Sequence, residues 1–353
     1  MKRISTLIVS LFILACGEIL ACTTVVVSAK ASASGRPIIW KQRDTSNKYN
    51  YLDWFRGERF NFTGIVASND AGRESVWCGA NDAGFAIMNS QSYGLSPLQG
   101  VDRPYEGMVM KAALEKCSSV NDFERLIESL PQPNGLEANF GVIDAFGGAA
   151  FFEVHDYGYE RFDASDAPEG YLIRSNFSMT GRPGEGHGYE RYERAKDEMA
   201  AHVGGFTPQW FIDVLGRDDL IARKTTVCSV AIEGVGFRER KNASCIWCNP
   251  GHPKGGYTVA AWVAAGDCIP EVLRSSKISD DGTVRYYSPM NELAYSLRER
   301  DVLPIVREAE ARELVDARII ENSLRTVGFD LNLVRAYNDA ADQRYSEFCK
   351  LVR

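Results

Sequence analysis

The chain has 353 residues, 45% of them hydrophobic and 11% aromatic, which is enough apolar material to bury the core of one large domain or two small ones. A formal net charge of -7 and the lack of any block of Lys and Arg exclude nucleic acid and an anionic membrane surface as expected partners.

The first residues read as an export signal. Lys2 and Arg3 precede an apolar run over 4–16, and the small residue Ala21 stands just before Cys22. The run is shorter than the roughly 20 apolar residues of a bilayer span, so residues 1–21 are predicted to be a cleaved signal peptide. The mature protein would then be periplasmic or secreted, with no further membrane attachment. A rival event is lipidation, because Ile13-Leu14-Ala15-Cys16 and Ile19-Leu20-Ala21-Cys22 are loosely shaped like lipoprotein sites. Lipid on Cys22 would block its thiol, and lipid on Cys16 would leave the Cys22 nitrogen in a peptide bond. Of nine cysteines, setting aside Cys16 and Cys22 leaves an odd number. At most a few disulfides are therefore expected, with connectivity open.

Residues 23–27 are β-branched and 37–40 largely apolar, with the turn residues Ser32-Ala33-Ser34-Gly35 between them, which predicts a hairpin at the mature N-terminus. Short strands follow over 64–68, 75–78 and 85–89, joined by Asn- and Gly-containing turns. Apolar spacing predicts helices over 105–117 and 119–130, the second opened by Ser119. A hairpin is read over 140–155, and strands over 171–174 and 225–233. Beyond Ser288 the pattern becomes amphipathic helices over 290–299, 303–326 and 331–351. There is no internal repeat or Pro-rich linker. The expected organisation is one α+β domain over 22–287, with 288–353 as its C-terminal helical extension.

A cysteine at a mature N-terminus unites nucleophile and base, since a free α-amine titrates at about 7.7–8.0 and can take the thiol proton. No histidine is then needed, and His155, His187, His202 and His252 lie outside any Cys-His protease motif. Cys245 and Cys248 suggest neither a redox pair nor a zinc site: Pro250, Gly251 and Pro253 forbid the helix that a redox Cys-x-x-Cys opens, and a lone pair is two ligands short. The aromatic stretch over 49–55 is either the wall of an apolar acyl site or core.

The segments Cys22-Thr23-Thr24-Val25-Val26-Val27, Ala31-Ser32-Ala33-Ser34-Gly35 and Trp40-Lys41-Gln42-Arg43-Asp44 resemble the opening of the cysteine N-terminal-nucleophile (Ntn) hydrolases. The likeness is greatest to the linear amide C–N hydrolases, with choloylglycine hydrolase and the penicillin acyltransferase-like branch. In that family an Arg and, three residues later, an Asp sit near the new N-terminus. The resemblance implies that Asp44 hydrogen-bonds the α-amine or thiol, and it puts Lys41 where Arg is usual. Lys keeps the charge but loses the bidentate fork; Arg43 either substitutes or points the other way along the strand.

The stretch over 78–87 is similar to the family's Gly-x-Asn-Glu-x-Gly-Leu-Ala hairpin. Asn89 and Gln91, just beyond it, are expected in the substrate pocket, one of them as a candidate second oxyanion donor. Ile173-Arg174-Ser175-Asn176-Phe177 resembles the strand end whose Asn amide stabilises the tetrahedral oxyanion, which implies that role for Asn176. Tyr189-Glu190-Arg191-Tyr192-Glu193-Arg194 matches the helix start whose Arg completes the charge network around the cysteine. Arg191 is the choice and Arg194 the alternate. Residues 225–230 and 245–251 resemble the closing strands of the acyltransferase-like branch, so the likeness runs from Cys22 to about Tyr257.

What the resemblance implies is a four-layer αββα Ntn-hydrolase sandwich that uses no metal or organic cofactor. It would cleave, or transfer the acyl group of, linear non-peptide or short-peptide amides. Its partner would be a small-molecule amide, whether bile salt, N-acyl amino acid, penicillin-like amide or dipeptide, and a homo-oligomer stays open. The alternative is a catalytically inactive exported binding protein or surface lipoprotein of the same fold, in whose favour Lys41 speaks.

Overall fold

The computed structural model describes residues 22–98, 105–278, 280 and 282–353. The predicted signal peptide and the lipidation motifs before Cys22 lie outside the described residues.

Two antiparallel sheets form the centre. The strands are β1 Thr23–Val27, β2 Ile38–Asp44, β3 Asn50–Phe55, β4 Phe62–Ala67, β5 Cys78–Asn81, β6 Ala86–Gln91, β7 Ala138–Ile143, β8 Ala149–His155, β9 Gly158–Asp163, β10 Tyr171–Arg174, β11 Thr226–Glu233, β12 Cys245–Asn249 and β13 Val259–Trp262. One sheet runs β10-β1-β2-β11-β12-β13, and the other runs β3 to β9 in sequence order. A separate hairpin, β14 Ser275–Ile278 and β15 Val284–Tyr287, stands beside β3.

The uninterrupted run Thr-Thr-Val-Val-Val suits β1 because that strand is buried on both faces. One face of β1 packs on the other sheet. A Cβ added to Gly141 of β7 would approach Met88 to 2.7 Å and Val26 to 2.9 Å, so the sheets meet there only because that position has no side chain. The outer face of the seven-stranded sheet is covered by α1 Glu106–Lys116 and α2 Val120–Glu128, through a cluster containing Phe85, Phe123, Phe140 and Phe152. Ser119 caps α2 by accepting from the Asp122 amide at 3.1 Å.

The outer face of the six-stranded sheet carries the other helices. These are α3 Tyr189–Ala201, the short α4 Pro208–Trp210 running into a π turn, α5 Met290–Leu297, α6 Leu303–Thr326 and α7 Leu331–Leu351. Trp40 stacks on Phe211 with centroids 6.0 Å apart, and α7 brings Tyr337 against Trp262 and Phe348 against Tyr257. The layer order is helices, seven-stranded sheet, six-stranded sheet, helices: the αββα sandwich. The aromatic stretch over 49–55 is β3, with Tyr51, Leu52 and Phe55 in the core. All eight cysteines among the described residues are free thiols.

Candidate active site

Four strand ends meet at one end of the sandwich. β1 begins there, after Cys22; β2 ends there at Asp44, β6 at Gln91, and β10 just before Asn176. A cavity of about 150 Å3 between them is lined by Cys22, Lys41, Arg43, Asp44, Trp77, Asn89, Gln91, Glu106 and Asn176, with Thr45. Seven of the eight residues singled out from sequence thus surround one space, and the eighth, Arg191, backs it.

Strand alternation explains who faces the cavity. On β2, Trp40 and Gln42 turn to the helical layer, where the Trp40 Nε1 donates to the Ser229 hydroxyl at 3.1 Å and the Gln42 amide to the Gly216 carbonyl at 3.0 Å. Lys41 and Arg43 therefore share the opposite face, and both lie over the Trp77 ring, 5.9 and 5.1 Å from its centroid. Two residues apart on one strand, Lys41 and Arg43 do not point opposite ways. Thr23 pairs with Gln42, so continuing that register sets Cys22 level with Arg43.

The Lys41 side chain is buried. Its ammonium donates to the Trp77 carbonyl at 2.9 Å and to Asn89 Oδ1 at 2.6 Å. That approach is open because β5 pairing stops at Cys78 opposite Met88, leaving Asn89 to Gln91 without a neighbour on that side. Asn89 in turn donates its amide to Glu106 at the start of α1. Asn89 is thus held by charge at both ends. Burial pushes the Lys41 ammonium down, while Cys22 and Glu106 pull it the other way.

Asp44 takes no hydrogen bond from Cys22. It receives Nε and Nη2 of Arg223 at 3.0 and 2.9 Å and the Thr226 hydroxyl at 2.6 Å. Burial raises the carboxyl and those donors oppose it. Thr226 lies in the 225–230 stretch, whose likeness marks only a closing strand, and Arg223 carries no local motif that could have marked it in the sequence.

The Asn176 side chain is fixed from two sides. Its Oδ1 accepts from Nη2 of Arg191 at 2.9 Å, and its Nδ2 donates to the Gln91 carbonyl at 2.7 Å. An arginine only donates, so this contact sets which end of the amide is oxygen and leaves one N–H for the cavity. Arg191 Nη1 also reaches the Cys22 carbonyl at 2.5 Å and the Thr23 hydroxyl at 2.7 Å. Arg194, the alternate, points away to Asp218 and Glu198. The Gln91 side chain accepts from the Tyr93 hydroxyl at 3.1 Å, so its contribution to Asn176 is main-chain.

The loop that carries Asn176 is anchored in the interlayer space. Asn139 donates to the carbonyls of Ser175 and Phe177 and accepts from Ser178 at 2.6 Å. Glu153 pairs with Arg174 at 2.7 Å and accepts from the amides of Met179 and Thr180. The sequence pass singled out neither Asn139 nor Glu153.

No family model matches the chain, and no curated protein does. Among solved structures it is similar to a mutant of the conjugated bile acid hydrolase from Clostridium perfringens, at 11% identity and a TM-score of 0.44 over 68% of this chain and 92% of that one. It is also similar to penicillin V acylase from Agrobacterium tumefaciens, at 12% identity and a TM-score of 0.41 over 68% of this chain and 85% of that one. A thermostable penicillin G acylase from Alcaligenes faecalis overlaps less, at 11% identity and a TM-score of 0.38 over 54% and 51%. These overlaps are partial and carry none of the argument below. The layer order and strand orders described above are by themselves those of the αββα sandwich expected from the likeness to cysteine Ntn hydrolases.

Proposed function

We propose that the chain is an exported hydrolase of linear amide C–N bonds, or an acyltransferase on the same bonds, whose nucleophile is Cys22 made N-terminal by removal of residues 1–21. The observation that carries this reading is the convergence of Cys22, two buried cations and the Asn176 amide on one small cavity, with Arg191 joining the Cys22 backbone to Asn176.

In the reaction, the α-amine of Cys22 takes the thiol proton and the sulfur attacks the amide carbonyl carbon. Negative charge collects on the carbonyl oxygen, where the free N–H of Asn176 meets it; a preset donor of this kind is worth about two to three powers of ten in rate. The α-ammonium then gives its proton to the departing amine nitrogen as the C–N bond breaks. Water, deprotonated by the same amine, attacks the thioester and releases the acid and the thiol. Asp44, held by Arg223 and Thr226, supplies fixed negative charge beside the ammonium, and Arg191 keeps the Asn176 amide in its working orientation. The reading needs the mature protein in the periplasm or outside the cell.

The test is the intact mass and N-terminal sequence of the exported protein, followed by assay on a panel of N-acyl amides with Cys22→Ala as control. The expected results are a chain that starts at unmodified Cys22 and a loss of at least about three powers of ten in kcat/KM for the variant. A chain starting elsewhere, a lipid on Cys22, or equal turnover by the variant overturns the proposal.

A further inference from the structure

The β14–β15 hairpin stands outside both sheets, and its charges are arranged at a cost. Lys277 and Arg285 lie directly opposite one another in its register, and like charges so placed across a strand pair repel. Both are exposed, and neither forms an ion pair or a side-chain hydrogen bond among the described residues. Arg274, just before the hairpin, is by contrast paired with Asp53 and Asp267.

The two cations border a cleft of about 550 Å3 between the hairpin, the loop before β3, the turn after β4 and the start of α5. That is the size of a small-molecule site, and no residue lines both this cleft and the cavity at Cys22. Its flat walls are Tyr49, Tyr286 and Tyr287, with the exposed Ile278 beside them. Tyr286 is backed by Tyr51 of β3, centroids 5.8 Å apart, and the Lys277 ammonium lies 4.5 Å from the Tyr287 centroid. Asn47 and Asn69 are bonded to each other at 2.5 Å. None of the three tyrosine hydroxyls has a hydrogen-bond partner among the described residues, and Ser68 Oγ in the same lining is buried without one.

The cleft thus gathers groups able to donate, namely an ammonium, a guanidinium and four hydroxyls, that nothing in the chain engages. An acceptor-rich ligand completes them. Lys277 and Arg285 set against the carboxylate of Glu292 leave one positive charge in the lining, which a monoanion neutralises and a phosphate dianion overshoots. The fork of Arg285 matches the two oxygens of a planar carboxylate, and the tyrosine faces suit a flat apolar body.

We infer that this cleft is a second ligand site, separate from the Cys22 cavity, and that it binds aromatic monocarboxylates. The carboxylate lies between Lys277 and Arg285, and the ring lies against Tyr49 and Tyr287. The site does not depend on the reading of Cys22 as nucleophile.

The probe is 2-naphthoate, titrated into the purified protein by ligand-detected NMR. Neutral 2-naphthamide matches its shape, and the saturated decahydro-2-naphthoate keeps the charge but loses the flat face. 2-Naphthoate is expected to bind at least about tenfold tighter than the amide, the order of one hydrogen bond to a charged group, and at least about threefold tighter than the decahydro acid. In K277Q/R285Q its affinity should fall by at least about tenfold, to that of the amide, while the amide itself binds as before. Both replaced charges are exposed and oppose one another, so their removal does not threaten the fold. Absence of saturable binding, equal binding of acid and amide, or a 2-naphthoate affinity unchanged in K277Q/R285Q overturns the site. Equal binding of the decahydro acid overturns the aromatic class.

Discussion

Arg191 folds back from the first turn of α3 across Gly188, and that glycine has a definite reason. Its φ is 82°, and a Cβ there would collide with Nη2 of Arg191, the atom that holds the Asn176 oxygen. Gly188→Ala should therefore act on chemistry more than on stability. The expected loss is about two powers of ten in kcat, comparable to removing an oxyanion donor, against about 1 kcal/mol of folding stability for the left-handed backbone. Steady-state kinetics and urea unfolding on the same preparation decide it; a stability loss with kcat intact would show that Arg191 does not position Asn176. Asp44 and Asn89 are likewise held from other elements: Thr226 and Arg223 hold Asp44, and Glu106 and Lys41 hold Asn89.

Between elements, buried charge does the joining. Arg174 of β10 and Glu153 of β8 pair across the space between the two sheets, both nearly inaccessible, with the Arg174 guanidinium also over the rings of Phe151 and Phe162. A second junction ties α6 to the end of β11. There Glu233 and Glu321 share a hydrogen bond, faced by Arg318 and Arg325, with Ser34 on Glu233 and with Glu239 and Arg36 beyond. Burial and the neighbouring carboxylate push the Glu233 carboxyl up to about 7, while Glu321 is drawn down by Glu233 and the two arginines. Because the folded pKa of Glu233 lies above its unfolded value, its contribution is complete at pH below the ordinary Glu range and is lost as pH rises through 7. The depressed Glu321 acts oppositely and loses its contribution only on acidification. The protein should thus be less stable at pH 8 than at pH 6, by about 1 kcal/mol. E321Q, whose amide donates to Glu233 at every pH, should flatten that slope. Urea unfolding at the two pH values measures it, and a wild-type slope of zero or opposite sign would rule out the shared proton.

At the scale of the whole molecule, the sandwich buries thiols as well as apolar side chains. Cys78, Cys228 and Cys248 lie in the core on the cavity side of the sheets, Cys117 at the C-terminal end of α1 and Cys245 beneath α6. Burial pushes Cys78 and Cys117 up to about 12 and Cys245 and Cys248 well above the ordinary thiol value. In the native protein, iodoacetamide should label Cys22, Cys268 and Cys349 and spare the other five, whereas unfolding should expose all eight. Rapid native labelling of Cys228 or Cys248 would contradict the packing of the two sheets. Strong labelling of Cys22 beside protected neighbours would mark a place where the interlayer space opens to solvent.

What could be read from the sequence is what local chain physics sets. The helices Leu303–Thr326 and Leu331–Leu351 are bounded as their amphipathic periodicity predicts, and the Ser119 cap opens α2. The β-branched run after Cys22 is a strand, and the order of Cys22, Asp44, Asn176 and Arg191 along the chain points to one cavity because a family resemblance orders them. The strands 64–68 and 75–78 are displaced in the structure to Phe62–Ala67 and Cys78–Asn81, since alternation alone does not set where pairing starts. Only the tertiary structure decided that Lys41 and Arg43 share a face over Trp77, that Asp44 belongs to Arg223 and Thr226, and that the buried Nη1 of Arg43 has no hydrogen-bond partner among the described residues. These are contacts between residues far apart in the chain, and their geometry depends on sheet register and on how two sheets meet, for which a single sequence carries no local signal.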